Sequence, residues 1–195
     1  MEERFERALE AIDRANQDDP NRIVLPHVSG PKELVHGRMV SDWIERLHPE
    51  ASFSLRLAGR AHHLERWTHP RKSYPDGREG YLRWRRALQD HHVKRARQIL
   101  AAEGFPEEEL QRVEDILRKR NLRSDREVQC FEDALCLVFL ETQFRILAER
   151  LGDEKMFEVL RRTLPKMSPE GKQAATSLAL GDSERALLTR ALQAP

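Results

Sequence analysis

The segment 134–140, with the sequence ALCLVFL, constrains the fold of this chain more than any other. It lies inside a longer stretch, residues 124–151, whose spacing of apolar residues predicts one helix ended by Gly152. A helix that is apolar on every side has no polar face to turn to water, so it is buried. We therefore predict that this helix passes through the centre of a helical bundle.

Amphipathic helix patterns fill almost all of the remaining chain, separated by prolines and glycines. Residues 18–32 hold three prolines and a glycine, which predicts a loop, and no segment shows a strand pattern. The predicted helices cover residues 2–16, 31–48, 52–67, 78–103, 106–120, 124–151, 153–164, 168–180 and 182–193. The predicted fold class is a compact all-α bundle of eight or nine helices.

The length of 195 residues favours one domain, residues 1–195, with a substantial core. We expect an N-terminal helix in residues 1–17 and a loop in 18–32. Residues 33–151 are then the core bundle that carries the functional site, and residues 152–195 are the C-terminal helices.

Composition excludes several classes of protein. No run approaches the roughly 18 apolar residues of a membrane span, and the acidic N-terminus does not resemble a signal peptide, so no membrane partner is expected. Cys130 and Cys136 are six residues apart in one predicted helix, on nearly opposite faces, which favours free thiols and a cytoplasmic location. A net charge of +1 argues against nucleic acid as a partner, although it leaves room for a local anion site. The oligomeric state stays open.

The residues that carry chemistry are concentrated between Arg56 and His92. This stretch holds five of the eight histidines, two of the three tryptophans and both tyrosines. Between Arg56 and Arg86 there are nine Lys or Arg residues against three Asp or Glu. A functional site is therefore expected here.

Four predicted helices each place a histidine or an aspartate toward the interior. The candidate metal ligands are His36, His62, His63, His92 and Asp133. Imidazole and carboxylate groups from facing helices are how bundles build metal sites. A buried carboxylate such as Asp133 is costly unless it is paired, hydrogen-bonded or bound to a metal. For His36 alone, a core or capping histidine is the simpler interpretation.

The order of these residues resembles that of the HD-domain superfamily, an all-α fold. This resemblance implies one or two divalent metals held by histidines, a His-Asp pair and a late aspartate. The segment LAGRAHHLERW looks like the metal-binding helix of the superfamily, but His63 stands where that helix carries its aspartate. The implied cofactor is a divalent transition metal, Fe, Mn or Zn, and otherwise none.

A closer resemblance covers most of the chain. The blocks AIDRANQDDPN, RMVSDWIERLHPEAS, LAGRAHHLERWTHPRKSYPDGREGYLRWR and CFEDALCLVFLE are similar to the family called domain of unknown function 4202. This family carries no established activity, so the resemblance implies a small helical protein and no reaction.

The basic and aromatic loop between the predicted helices suggests a site for an anion. The candidate residues are Arg66, Trp67, Arg71, Tyr74, Arg78, Tyr81 and Arg85. Guanidinium groups and tyrosine hydroxyls bind phosphate or carboxylate well. Alternatively, the arginines pair with acidic residues of neighbouring helices and stack on the tryptophans.

These patterns lead to one main functional hypothesis and two alternatives. The main one is an HD-like, metal-dependent phosphohydrolase that acts on a small anionic or phosphorylated substrate, with Glu65 or Glu141 as general base. The first alternative is a non-catalytic regulatory protein that binds an anionic metabolite or a partner protein on a degenerate HD-like bundle. The second is an HD-like, iron-dependent oxygenase, since histidine-rich sites also suit iron.

Overall fold

The computed structural model describes residues 2–194, which are mainly helical. The α-helices in this part of the chain are α1 (Glu2–Gln17), α2 (Lys32–Leu47), α3 (Phe53–Ala61), α4 (Gly77–Ala102), α5 (Glu107–Leu117), α6 (Arg126–Thr142), α7 (Phe144–Leu151), α8 (Asp153–Thr163), α9 (Pro169–Thr176) and α10 (Asp182–Gln193). The prediction of an all-α fold is confirmed. No helix among these residues has both the length and the apolar character that crossing a membrane requires.

A small β-hairpin precedes α2, in the segment that was predicted to be a loop without strands. Strand β1 (Arg22–Leu25) pairs with strand β2 (Val28–Pro31) in antiparallel register, Leu25 opposite Val28. The prediction of no strands is wrong here, because four-residue strands that are largely exposed show too little alternation to be recognised.

The hairpin and Asp19 position the first turn of α2. Strand β2 runs directly into the helix. The buried carboxylate of Asp19 accepts hydrogen bonds from the backbone N–H groups of Asn21 and Glu33, both at 2.9 Å. These contacts supply a partner for an N–H group that a helix start leaves unpaired. They also fix the position of Glu33.

Helix α3 ends at Ala61, six residues before the predicted end. Glu65 takes a left-handed backbone conformation, with φ of 50°, and a 3-10 turn, Arg66–Thr68, follows it. The N–H of Glu65 donates to the side-chain oxygen of Asn16 on α1, at 2.9 Å. His62 and His63 therefore lie in a turn after the helix instead of on its last turn.

The long helix predicted over residues 124–151 is two helices, α6 and α7. The backbone leaves helical geometry at Gln143, where φ is −125°. Just before it, the buried hydroxyl of Thr142 donates to the carbonyl of Val138, at 2.7 Å. A side-chain hydrogen bond of this kind competes with the helix backbone and favours a bend. This break gives the described chain one more helix than the larger number predicted.

Helix α6 lies between two groups of packed apolar side chains. The first fills the space among α1 to α5 and includes Ile12, Leu57 and Phe131. The second lies among α7 to α10 and includes Leu140 and Met156. Because α6 contributes Phe131 to one group and Leu140 to the other, the prediction of a central helix is confirmed.

Candidate functional site

A cleft of about 380 Å³ opens between the start of α2, the turn after α3, the first half of α4 and the middle of α6. Small-molecule sites commonly have volumes of roughly 300–1,000 Å³. Among the residues that the structure describes, five basic side chains and two acidic ones line this cleft, so it attracts anions. The basic residues are Lys32, Arg66, Arg85, Lys119 and Lys166.

Glu33, His36 and His63 lie together on one wall of the cleft. Oε2 of Glu33 is 2.8 Å from Nδ1 of His63 and 3.5 Å from Nδ1 of His36. One ligand atom from each of the three residues lies within 4.8 Å of the other two. Glu33 and His36 are one turn apart on α2, so they share a face of the helix. The three residues form a group of the size and chemistry that can hold a metal ion.

A chain of hydrogen bonds fixes the protonation of His63. Nη1 of Arg66 lies 2.9 Å from Nε2 of His63, and a guanidinium can only donate. Nε2 therefore carries the lone pair, and Nδ1 carries the proton that it donates to Glu33. Burial lowers the pKa of His63 to about 4, although Glu33 acts in the opposite direction. The ring is thus neutral near pH 7, the form that binds metals.

The carboxylate of Glu33 is ionised at neutral pH. Burial by itself would raise the pKa of this group, but the positive charge that His63 gains below about pH 4 and hydrogen bonds from His36 and His63 outweigh that effect. The pKa of Glu33 is therefore held well below its usual range. The guanidinium of Arg66 is also close, with Nε 3.8 Å from Oε1 of Glu33. Glu33 is one of two acidic residues in the wall of a cleft in which basic side chains are in excess.

His62 and His92 lie beside His63, but they are oriented differently. The ring centroid of His63 is 4.0 Å from that of His62 and 5.7 Å from that of His92. Nδ1 of His62 donates to the carbonyl of Gly59 and Nδ1 of His92 to the carbonyl of Leu64, both at 2.9 Å. Burial lowers the pKa of both rings. The structure thus gathers all four histidines predicted as ligands, yet His62 and His92 fall outside the 4.8 Å group found in the described chain.

Asp133, the fifth predicted metal ligand, has hydrogen-bond donors around it and is not part of the 4.8 Å group found in the described chain. Oδ1 accepts hydrogen bonds from the backbone N–H of Ser168 at 2.9 Å and from the side-chain amide of Gln129 at 3.0 Å. Oδ2 accepts from the hydroxyl of Ser168 at 2.6 Å. Ser168 is in turn the N-cap of α9. Asp133 therefore joins α6 to α9, because its oxygens already have fixed donors.

Neither carboxylate predicted as general base lies in the cleft. Glu65 accepts hydrogen bonds from two guanidinium nitrogens of Arg95, at 2.6 and 2.8 Å. Glu141 is exposed and accepts from Nε1 of Trp43 at 2.8 Å. Among the described residues that line the cleft, the carboxylates are those of Glu33 and Glu132. The geometry therefore gives no support to Glu65 or Glu141 as general base.

The residues predicted to bind an anion divide into two sets. Those that line the cleft are Arg66, Tyr81 and Arg85. Those that are not part of its lining are Trp67, Arg71, Tyr74 and Arg78. The alternative, in which the arginines pair with acidic residues and stack on tryptophans, applies to Arg66. It contacts Glu33, and its Cζ lies 5.2 Å from the ring centroid of Trp84. It also applies to Arg71, which donates to the carbonyl of Tyr74 at 2.8 Å. It does not apply to Arg85, which forms no ion pair within residues 2–194 and is available to an anion.

Five charged residues of the cleft, within the described chain, were not among the predicted site residues: Lys32, Glu33, Lys119, Glu132 and Lys166. Glu33 precedes His36 by three positions, and this Glu-x-x-His spacing is one that helical bundles use for metal ligands, so the signal was present. Lys119 has a left-handed backbone, with φ of 56°, and its ammonium pairs with the buried carboxylate of Glu132. Nothing in the local sequence indicates that this lysine reaches the cleft.

Comparison with known proteins identifies the family. No curated protein and no solved structure matches the chain, so the HD-like character of the fold stays a prediction. A family described as a domain of unknown function, DUF4202, matches residues 6–188, which is nearly the whole chain. The chain belongs to the DUF4202 family.

Proposed function

We propose that this protein is a metal-dependent hydrolase that acts on a small phosphorylated substrate. The observation that carries the proposal is the group of Glu33, His36 and His63, whose ligand atoms lie within 4.8 Å of one another in the wall of a cationic cleft. A metal set and an anion site thus share one small-molecule cavity.

The donor set fits a divalent transition metal. One carboxylate and two imidazoles are found together in zinc hydrolases and in iron(II) sites. Nε2 of His36 is also buried without a hydrogen-bond partner in the part of the chain described, which is unusual for a polar atom. In this set Glu33 contributes the negative charge, and His36 and His63 contribute neutral donors.

The chemistry that a divalent metal supplies in such a site is activation of a water molecule for attack on an ester. The cations of the cleft bind the phosphate and stabilise the charge that develops on it. Arg85 is free of acidic partners in the described chain, and Lys119 is held in place by Glu132. Arg66 connects the two parts of the site, because it contacts both His63 and Glu33.

Metal analysis tests this proposal directly. Protein purified without a histidine tag is reconstituted with Fe, Mn or Zn and analysed for bound metal, with Glu33→Gln as the test variant. Glu10→Gln, an exposed residue of α1, is the matched control. We expect about one equivalent of metal in the wild type and in the control, and a clear loss in Glu33→Gln. Less than about one-tenth equivalent in the wild type would overturn the proposal.

Iron-dependent oxygenases also use one carboxylate and two imidazoles as metal ligands. The identity of the bound metal and the reaction of the protein are therefore tested together. Release of phosphate from a panel of phosphate monoesters supports the hydrolase. Strict dependence on iron, with oxygen uptake and no release of phosphate, supports the oxygenase instead.

One observation favours a second candidate, a non-catalytic protein that binds an anion. Arg66 already contacts both His63 and Glu33, so these two side chains have partners without a metal. Thermal-shift measurements with each metal alone and with inorganic phosphate alone distinguish the two. Stabilisation by phosphate, without stabilisation by any metal, supports the binding protein.

A further inference from the structure

An inner cavity of about 90 Å³ adjoins the cleft. Its apolar walls are Leu88, Leu117, Phe131 and Leu135. Arg66, Arg85 and Lys119 line both spaces, so the cations lie where the two cavities meet. An anion bound by these cations therefore has an adjoining space for the group attached to it.

His62 and His92 give this inner cavity a polar character. Both residues line it, and they are only 7% and 6% exposed. Their Nδ1 atoms are held by the carbonyls of Gly59 and Leu64, but neither Nε2 atom has a hydrogen-bond partner within residues 2–194. Neither Nε2 atom is among the side-chain atoms of the described chain that are both fully buried and unpartnered, so both nitrogens are accessible from the cavity. A polar group of a ligand in this cavity can therefore hydrogen-bond to both nitrogens.

The ligand group that suits both nitrogens is a hydroxyl. It donates and accepts hydrogen bonds, so it satisfies Nε2 whether or not that atom carries a proton. The carbon atoms of the same ligand pack against the four apolar side chains. A cavity of about 90 Å³ is well below the roughly 300–1,000 Å³ of sites that hold a whole small molecule, so it suits a short part of a ligand. This size favours a short polyol chain over a nucleoside in the inner cavity.

We propose that the inner cavity binds the hydroxyl-bearing organic part of a small phosphate monoester, between His62 and His92, with its phosphate against Arg66, Arg85 and Lys119. The inference rests on the proposed function for the phosphate site. It adds the substrate class: a phosphorylated short polyol.

Binding of three probes to the purified wild-type protein, measured by isothermal titration calorimetry, tests the inference. The probes are glycerol 3-phosphate, n-propyl phosphate and inorganic phosphate. We expect glycerol 3-phosphate to bind about tenfold more tightly than n-propyl phosphate, which has the same chain without hydroxyls. Equal affinity for these two esters would overturn the inference, as would equal affinity for all three probes.

Substitutions of His62 and His92 test whether these two side chains bind the hydroxyl groups of the ligand. His62→Leu and His92→Leu are each expected to reduce the preference for glycerol 3-phosphate to about twofold or less, whereas His92→Gln keeps a polar atom and retains most of it. Thermal melts confirm that each variant is folded, and the wild-type probe series decides the question if a leucine variant is not. Full preference in both leucine variants would show that the hydroxyls bind elsewhere.

The two proposals fail in different ways. If the protein binds no metal and hydrolyses no ester but still prefers glycerol 3-phosphate, the inner site is supported and the hydrolase function is rejected. If the protein is a hydrolase but binds glycerol 3-phosphate and n-propyl phosphate equally well, the hydrolase function is supported and the inner site is rejected.

Discussion

Two buried carboxylates of this fold, Glu33 and Asp133, are 4% and 3% exposed, yet their surroundings differ in kind. Glu33 has titratable or cationic neighbours, His36, His63 and Arg66, in the wall of a cleft. Asp133 has an amide, a hydroxyl and a backbone N–H as neighbours. Burial alone therefore does not indicate the role of a carboxylate. Its partners do, because fixed donors complete a helix cap whereas imidazoles can exchange a proton or bind an ion.

The packing around the two carboxylates differs less than their partners do. A Cβ atom added at Gly171 on α9 would lie 2.6 Å from Cγ of Asp133, so the two helices touch with no space between them. Glu33 faces a cavity of about 380 Å³. Asp133 lines another cavity, of about 440 Å³, so both carboxylates lie near open space and the difference between them is in their partners.

The largest effect is expected from Glu33→Gln on metal affinity. Loss of the anionic ligand should weaken binding of Zn or Mn by about 100-fold or more, while the fold is retained. Competition with a chromophoric chelator measures the dissociation constant, and Asp133→Asn is the comparison variant. An equal loss of affinity in Asp133→Asn would break the distinction between the two carboxylates.

Asp133→Ala is expected to affect stability instead of metal binding. It leaves the N–H and the hydroxyl of Ser168 without their acceptor, which should lower the free energy of unfolding by about 2 kcal/mol. Urea denaturation followed by circular dichroism measures the change. Asp133→Asn keeps one acceptor oxygen and should cost less. A variant as stable as the wild type would show that this cap does not hold α6 to α9.

The sequence predicted the helices well and the site in part, for physical reasons. Apolar periodicity is local, so α6 and the histidines on inward faces could be found. His36 and His63 were among the predicted ligands, and Glu33 lay within reach of the same reasoning through its spacing from His36. A turn with a left-handed Glu65 cannot be foreseen from propensity, because that residue is held there by contacts with Asn16 and Arg95.

Asp133 shows the limit of such reasoning. A carboxylate inside an apolar helix indicates that it has a partner, but not which partner. Here the partner is Ser168, 35 residues away, whose hydroxyl and N–H carry no sign of the contact in the sequence. The same holds for Lys119 and Glu132, since the pairing depends on how α5 and α6 are connected.

A smaller effect is expected among the arginines, and it tests whether the open surroundings of Glu33 form an anion site. Arg85 lines the cleft without an acidic partner in the described chain, whereas Arg78 is exposed and outside the lining. Arg85→Met should raise the dissociation constant of inorganic phosphate about five- to tenfold, and Arg78→Met less than about twofold. Calorimetric titration at constant ionic strength measures both. Equal effects would indicate attraction by the basic surface as a whole.

The smallest expected effect is on the pH dependence of stability. It shows how neutral hydrogen-bond partners, as opposed to a charged one, change the pKa of a carboxylate. Burial raises the pKa of Asp133, although its hydrogen bonds from Ser168 oppose this. Asp125, the N-cap of the same helix, has a charged partner, and the hydrogen bond from Arg112 lowers its pKa. A group whose pKa is raised on folding stabilises the protein at low pH, and this stability is lost as the pH rises through the pKa of the folded state. A group whose pKa is lowered on folding stabilises the protein at higher pH, and this stability is lost as the pH falls below the pKa of the unfolded state, which is 3.8 for Asp125.

The two asparagine variants should therefore show opposite trends. As the pH rises from about 3 to about 7, the free energy of unfolding of the wild type should fall relative to that of Asp133→Asn. Over the same range it should rise relative to that of Asp125→Asn, and each change should be less than about 1 kcal/mol. Urea denaturation at several pH values measures the differences. Parallel trends would mean that the charge of Arg112 does not distinguish the two sites, and that burial alone governs both carboxylates.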